Sequence, residues 1–136
     1  MYRLLEHTAD MGIEARARRL DALFVQAARG LLDILFGTPC PGRGRQNLAL
    51  QVEACDREEL LVAWLSELLF VVQQRGFRPS GLTIDAVNAG HLGATLCGAF
   101  APEEAAPLRE VKAVTYHRLS VVETEDGWKA RVFLDL

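Results

Sequence analysis

The apolar residues of this chain change period along its length, and the change separates helix from strand before any other property is considered. From Leu20 to Phe36 the residues Leu20, Leu23, Phe24, Ala27, Ala28, Leu31, Leu32 and Leu35 recur three or four positions apart, and Gly37 follows as a stop. That spacing predicts an amphipathic helix. A second such run carries Leu60, Leu61, Trp64, Leu65, Leu68, Leu69 and Val72. Asp56 precedes it with Glu59 three residues on, the pattern of a capping box, and it ends near Gly76 with Arg75 placed in the last turn. Elsewhere the period is two. Ile13, Ala15 and Ala17 alternate with Glu14, Arg16 and Arg18, and Leu48, Leu50 and Val52 alternate with Asn47, Ala49 and Gln51. Each pattern predicts a strand with one face inward, so Glu14 is expected to face water.

Further strand character lies at residues 2–6, Leu82 to Val87, Leu92 to Phe100, Val111 to Tyr116, Leu119 to Glu125 and Trp128 to Leu134. Asp126-Gly127 reads as the clearest hairpin turn, and the Pro/Gly-rich run from Thr38 to Gly44 as a loop. Two helices among many strands joined by short turns predict an α+β fold, a largely antiparallel sheet with two main helices packed on one face. With 136 residues, half of them apolar, and no short repeat or low-complexity segment, residues 1–136 are expected to form a single domain.

Composition removes several functions. No uncharged apolar run is long enough to span a bilayer, and the first residues lack a secretory hydrophobic region, so a cytoplasmic protein without membrane contact is expected. Cys40, Cys55 and Cys97 form no CxxC pair and are expected to be reduced packing residues. The formal charge of -3 argues against a broad electropositive surface, although it permits a local basic patch, and points to indirect rather than direct contact with RNA.

Phosphate-loop, dinucleotide-binding, HExxH and GxSxG motifs are absent, and His7, His91 and His117 lack zinc-type spacing. No catalytic residue is therefore assigned. Asp10 closes His7-Thr8-Ala9-Asp10 before Met11-Gly12, where its carboxylate either makes a local Asx-turn or projects from a strand end. Asp135 stands in the apolar closing segment beside the carboxylate of Leu136. If the N-terminal pieces lie beside the last strand, Asp10, Asp135 and Leu136 converge as hard oxygen donors suited to calcium, magnesium or manganese. Without that pairing Asp135 is an exposed charge. Lys112 lies in Glu110-Val111-Lys112-Ala113-Val114-Thr115-Tyr116-His117. Alternation puts it on one face with Val114 and Tyr116, either snorkelling over apolar surface or aimed at a phosphate or a partner. Tyr116 and His117 admit a packing role with polar tips.

The HTAD segment, the helix opening at Asp56, EVKAVTYH at 110–117 and the closing W-x-A-x-V-x-x-DL occur in order from end to end, and the chain thereby resembles the archease family. The resemblance implies an accessory protein of an RtcB-type RNA ligase, active in tRNA splicing and RNA repair. It would promote guanylylation of the ligase by GTP, aided by a divalent metal, and multiple turnover, with RNA met only through the ligase. It places metal binding on Asp10, Asp135 and Leu136, with calcium first and magnesium or manganese as alternatives. Lys112, and His7 beside the acidic position, become candidates for nucleotide or partner contact. Two departures stand out: Ala101 to Arg109 lacks a histidine often present in relatives, and the chain closes on leucine where isoleucine is usual. The rival readings are a stand-alone metal-dependent phosphoesterase, with His7 its base, and a metal-independent, chaperone-like adaptor.

Overall fold

The structure, a computed structural model, describes residues 1–6, 10–37, 46–103 and 106–136. His7, Cys40 and the loop read from Thr38 to Gly44 lie outside the described residues. Among those described there are two helices and eight strands: β1 (Tyr2–Glu6), β2 (Asp10–Ala17), α1 (Leu20–Phe36), β3 (Gln46–Glu53), α2 (Arg57–Gln73), β4 (Phe77–Val87), β5 (His91–Phe100), β6 (Ala113–Val114), β7 (Ser120–Thr124) and β8 (Gly127–Asp135).

Both helices form where the apolar period is three to four. The backbone N–H of Gly37 closes α1 by donating to the Asp33 carbonyl. At the start of α2 the Asp56 carboxylate accepts from the Glu59 N–H at 2.8 Å, and the Glu59 carboxylate reaches back to the N–H of Cys55. Such a cap contributes about 1 kcal/mol. α2 ends at Gln73, before Arg75. The guanidinium of Arg75 instead lies over the ring of Phe100, 5.4 Å from its centroid, so the expected charge–dipole contact is replaced by a cation–π one.

The α+β class holds, but the strands divide into two antiparallel sheets rather than one. One has the order β1-β2-β8-β6, with β7 also on β8; the other has the order β3-β5-β4. Helix α1 packs against strands of both sheets, and one connected apolar core takes residues from both sheets and both helices. Trp64 of α2, fully buried, donates its indole N–H to the Phe24 carbonyl of α1 at 3.0 Å and fixes the two helices together. From the other side Tyr2 of β1 donates its hydroxyl to Asp33 of α1 at 2.8 Å.

Three local expectations are corrected. β4 begins at Phe77 rather than Leu82, because Pro79 and Gly81 are tolerated at an edge strand beside a bulge. Thr124 pairs with Gly127, so the β7–β8 turn is Glu125-Asp126 and Gly127 opens the next strand. Its φ of 142° and the Ala17 carbonyl close to where a Cβ would sit require glycine there. Cys55 is exposed rather than packed, and its hydrogen bond to the Glu59 carboxylate pushes the thiol pKa up.

The largest departure from period-two reasoning is Glu14. It does lie on the face of β2 opposite to Ile13, yet it is only 4% exposed. Arg3 of β1 donates to it through two nitrogens at 3.2 and 3.3 Å, Arg131 of β8 through one at 3.1 Å, and Arg16 stands 3.8 Å away. Burial by itself pushes the carboxyl up, but the hydrogen bonds from Arg3 and Arg131 and the charges of Arg3 and Lys129 outweigh it and hold it below the ordinary range. Its contribution is therefore complete above the ordinary value of 4.5 and is lost as pH falls through the lower folded value. Replacing Glu14 with Gln should cost about 1–2 kcal/mol at neutral pH, the low end because its arginine partners keep contact with water. Denaturant titrations at neutral and acidic pH should show the gap between wild type and Glu14→Gln closing as the pH drops below 4.5.

Candidate functional site

The pairing on which the acidic cluster depended is present. β2 and β8 run antiparallel in unbroken register from Asp10↔Asp135 to Ala17↔Trp128, so two aspartates 125 positions apart in the chain stand directly opposite each other. Residues opposed in this way point to the same side of the sheet, with Cβ atoms about 5 Å apart. Asp10 is half-buried and Asp135 exposed. Neither has an ion-pair partner among the described residues. Asp10 takes a ladder position at the start of β2.

On its other side Asp135 pairs with Ala113 of β6, and its carbonyl accepts the N–H of Lys112 at 2.8 Å. Lys112 is thereby tied to the acid pair through its backbone. Its ammonium is exposed and has no ion-pair partner among the described residues. The expected alternation around it is not observed: Val111 and Val114 are buried, whereas Lys112, Tyr116 and His117 are exposed. Only Ala113–Val114 forms a strand. Thr115 still donates its N–H and its hydroxyl to the Phe133 carbonyl at 2.9 Å, and the chain then turns, with the Leu119 N–H on the Tyr116 carbonyl and Arg118 at a φ of 51°. Tyr116 and His117 are therefore not core residues. The His117 imidazole meets the Phe133 ring edge-on, with centroids 5.7 Å apart.

Phe133 itself lies across Gly12, its partner on β2. A Cβ at Gly12 would stand 2.7 Å from the Phe133 ring, so the absent side chain makes room for the aromatic next to the acid pair. Sequence reasoning had no signal for this contact, since nothing local in Gly12 or Phe133 names the other.

The donor set is oxygen-rich and hard, which fits a divalent cation of the calcium, magnesium or manganese class. No group of three or more His, Cys, Asp and Glu gathers around a cation position among the described residues, so the two aspartates supply two donors rather than a closed cage. Leu136, partly buried against the core, follows Asp135 directly.

A model of the archease protein family matches residues 2–136. The chain belongs to the archease family. It is 32% identical to the protein archease of Methanosarcina barkeri, over 99% of this chain and 95% of that one. With the protein archease of Thermococcus kodakarensis the identity is 34%, over 96% and 95%. The solution structure of protein 1598 of Methanobacterium thermoautotrophicum superposes with a TM-score of 0.73 at 30% identity, covering 99% of this chain and 98% of that one. A crystal structure from Thermotoga maritima, described as an archease and possible chaperone, shares the fold with a TM-score of 0.66 at 20% identity, over 100% and 98%. Among the described residues no helix is long and apolar enough to cross a membrane.

Two like charges placed opposite each other in a sheet destabilise it by about 0.2–1 kcal/mol. Asp10→Asn should therefore raise the melting temperature of protein freed of divalent cations, measured by circular dichroism at neutral pH. An unchanged or lower melting temperature would mean that the two carboxylates do not repel in the folded state.

Proposed function

We propose that this member of the archease family is a cytoplasmic accessory protein, not itself an enzyme, that serves an RtcB-type RNA ligase. The observation that carries the reading is the direct opposition of Asp10 and Asp135, with the Lys112 backbone hydrogen-bonded to Asp135. Asp10, Asp135 and the carboxylate of Leu136 would hold a divalent cation, calcium first and magnesium or manganese otherwise. Three oxygen donors leave most of such an ion's coordination open, which suits a cation shared with the phosphates of a nucleotide on the partner. When bound, the ion would offset phosphate charge as guanylate passes from GTP to the ligase.

The residues of this chain present and orient. The β2–β8 ladder sets the two carboxylates on one side, and the Lys112 backbone is bonded to Asp135, so its exposed ammonium would serve as a second positive group for phosphate or ligase. His7, beside Asp10 in the chain, is proposed for the same contact. RNA enters this role through the ligase.

The test is multiple-turnover RNA ligation by an RtcB-type ligase with no addition, with this protein, and with its Asp10→Ala and Lys112→Ala variants. Intact protein should raise product beyond one turnover per ligase. Asp10→Ala should abolish the stimulation, and Lys112→Ala should weaken it about tenfold or more, the scale of removing one charged stabilising group. In parallel, added calcium should raise the melting temperature of the wild type and leave that of Asp10→Ala unchanged. Ligation that is equally fast with and without folded protein would overturn the accessory role.

A further inference from the structure

The five-stranded sheet is covered by α1 on the side of Ile13 and Ala15, while its other side carries exposed arginines. Register sets that open side out in cross-strand rows. Arg16 stands opposite Lys129; one row on, Arg3, Glu14 and Arg131 lie side by side; then come Gly12 with Phe133, and finally Asp10 with Asp135. Four cations thus surround one carboxylate, an excess of three positive charges on a chain whose formal charge is -3. Arg3 and Arg16 keep 62% and 58% of their side-chain surface in water while reaching toward Glu14. Asp10 and Asp135 stand on the same side two rows beyond Glu14, and Glu125 and Asp126 line a recess with Arg16 and Arg18.

We infer that this open face binds the phosphate backbone of a single-stranded nucleic acid. Arginine's planar fork matches phosphate, and Glu14 holds Arg3 and Arg131 in place without cancelling the excess charge. A sheet face with cations and an exposed ring is also a surface on which unpaired bases stack, and His117, exposed against the buried Phe133, supplies that ring. An acidic polypeptide would answer to the charge but not to the ring. The inference does not depend on the ligase or on a bound cation, since it concerns the isolated protein and residues other than the acid pair.

Fluorescence anisotropy of a labelled single-stranded RNA, and of DNA of the same sequence, titrated with the full chain at several salt concentrations tests it. The wild type should bind with a dissociation constant tighter than about 0.1 mM, weakening as salt rises. The double variant Arg16→Gln, Lys129→Gln leaves the contacts of Glu14 with Arg3 and Arg131 in place and should fold normally by circular dichroism. It should lose about 1.4 from the slope of log affinity against log salt, two phosphate contacts at about 0.7 each. His117→Ala should weaken binding about fivefold with the slope unchanged. RNA preferred over DNA would add a 2′-hydroxyl contact, and equal binding would assign the interaction to the backbone alone; either outcome upholds the inference. No binding by the wild type, or an unaltered slope in the double variant, overturns it. Displacement of the strand by poly-glutamate at equal charge concentration would also overturn it and assign the face to an acidic protein.

Discussion

The β2–β8 ladder is the contact from which the rest of the structure follows. Its eight matched pairs join the start of the chain to its end, and a slip of one residue would turn every side chain of β8 to the wrong face. Three separate interactions hold the register. On the inner face Ile13 and Ala15 meet Val132 and Ala130 under α1, all buried. On the outer face Glu14 is bonded to Arg131 and the Phe133 ring fills the space above Gly12. A shift of one position would bury Arg131, drive Phe133 against a side chain and separate the aspartates. The register that satisfies the core is therefore the one that brings Asp10 opposite Asp135, and the acid pair needs no contact of its own to hold it there.

Local order was legible where one residue's role depends on near neighbours. α1 spans the residues its three-to-four period marks, and Asp56 caps α2 as its spacing with Glu59 requires. What failed depends on distant partners. Pro79 hides the first half of β4 because its acceptability rests on an edge position that only the sheet order decides. The Val111 to Tyr116 alternation is a real pattern in the sequence, but β6 has only two strand residues and the chain turns at Tyr116 to Leu119, where Arg118 has a positive φ. The division into two sheets is likewise a property of pairing, invisible to periodicity.

The candidate site divides along the same line. Its chemistry was readable, since isolated aspartates in apolar surroundings near both chain ends are conspicuous, and their convergence could be stated as a condition on strand pairing. The supporting parts were not. Glu14 looked like one charge in a polar stripe; its burial arises because Arg3, Arg16 and Arg131 come from three strands to cover it. The formal charge of the chain pointed away from a cationic surface for a similar reason, because summing charges discards their placement.

Placement matters most along the open face. Acid pair and arginine rows share one side of the sheet, and Asp10 and Glu14 are four residues apart on β2, about 13 Å along the strand. That distance exceeds the screening length of about 8 Å at physiological salt. Between them lies the row of Leu5, Gly12 and Phe133, which carries no charge. If the aspartates stood one row closer, Arg131 would lie beside Asp135 and the two would neutralise each other, as Arg131 and Glu14 now do. The uncharged row keeps the two ends electrostatically separate, so that one can attract cations while the other attracts anions. Gly12 thus has a second consequence beyond admitting the Phe133 ring: it helps to make the spacer that lets a small sheet present both signs of charge on one face.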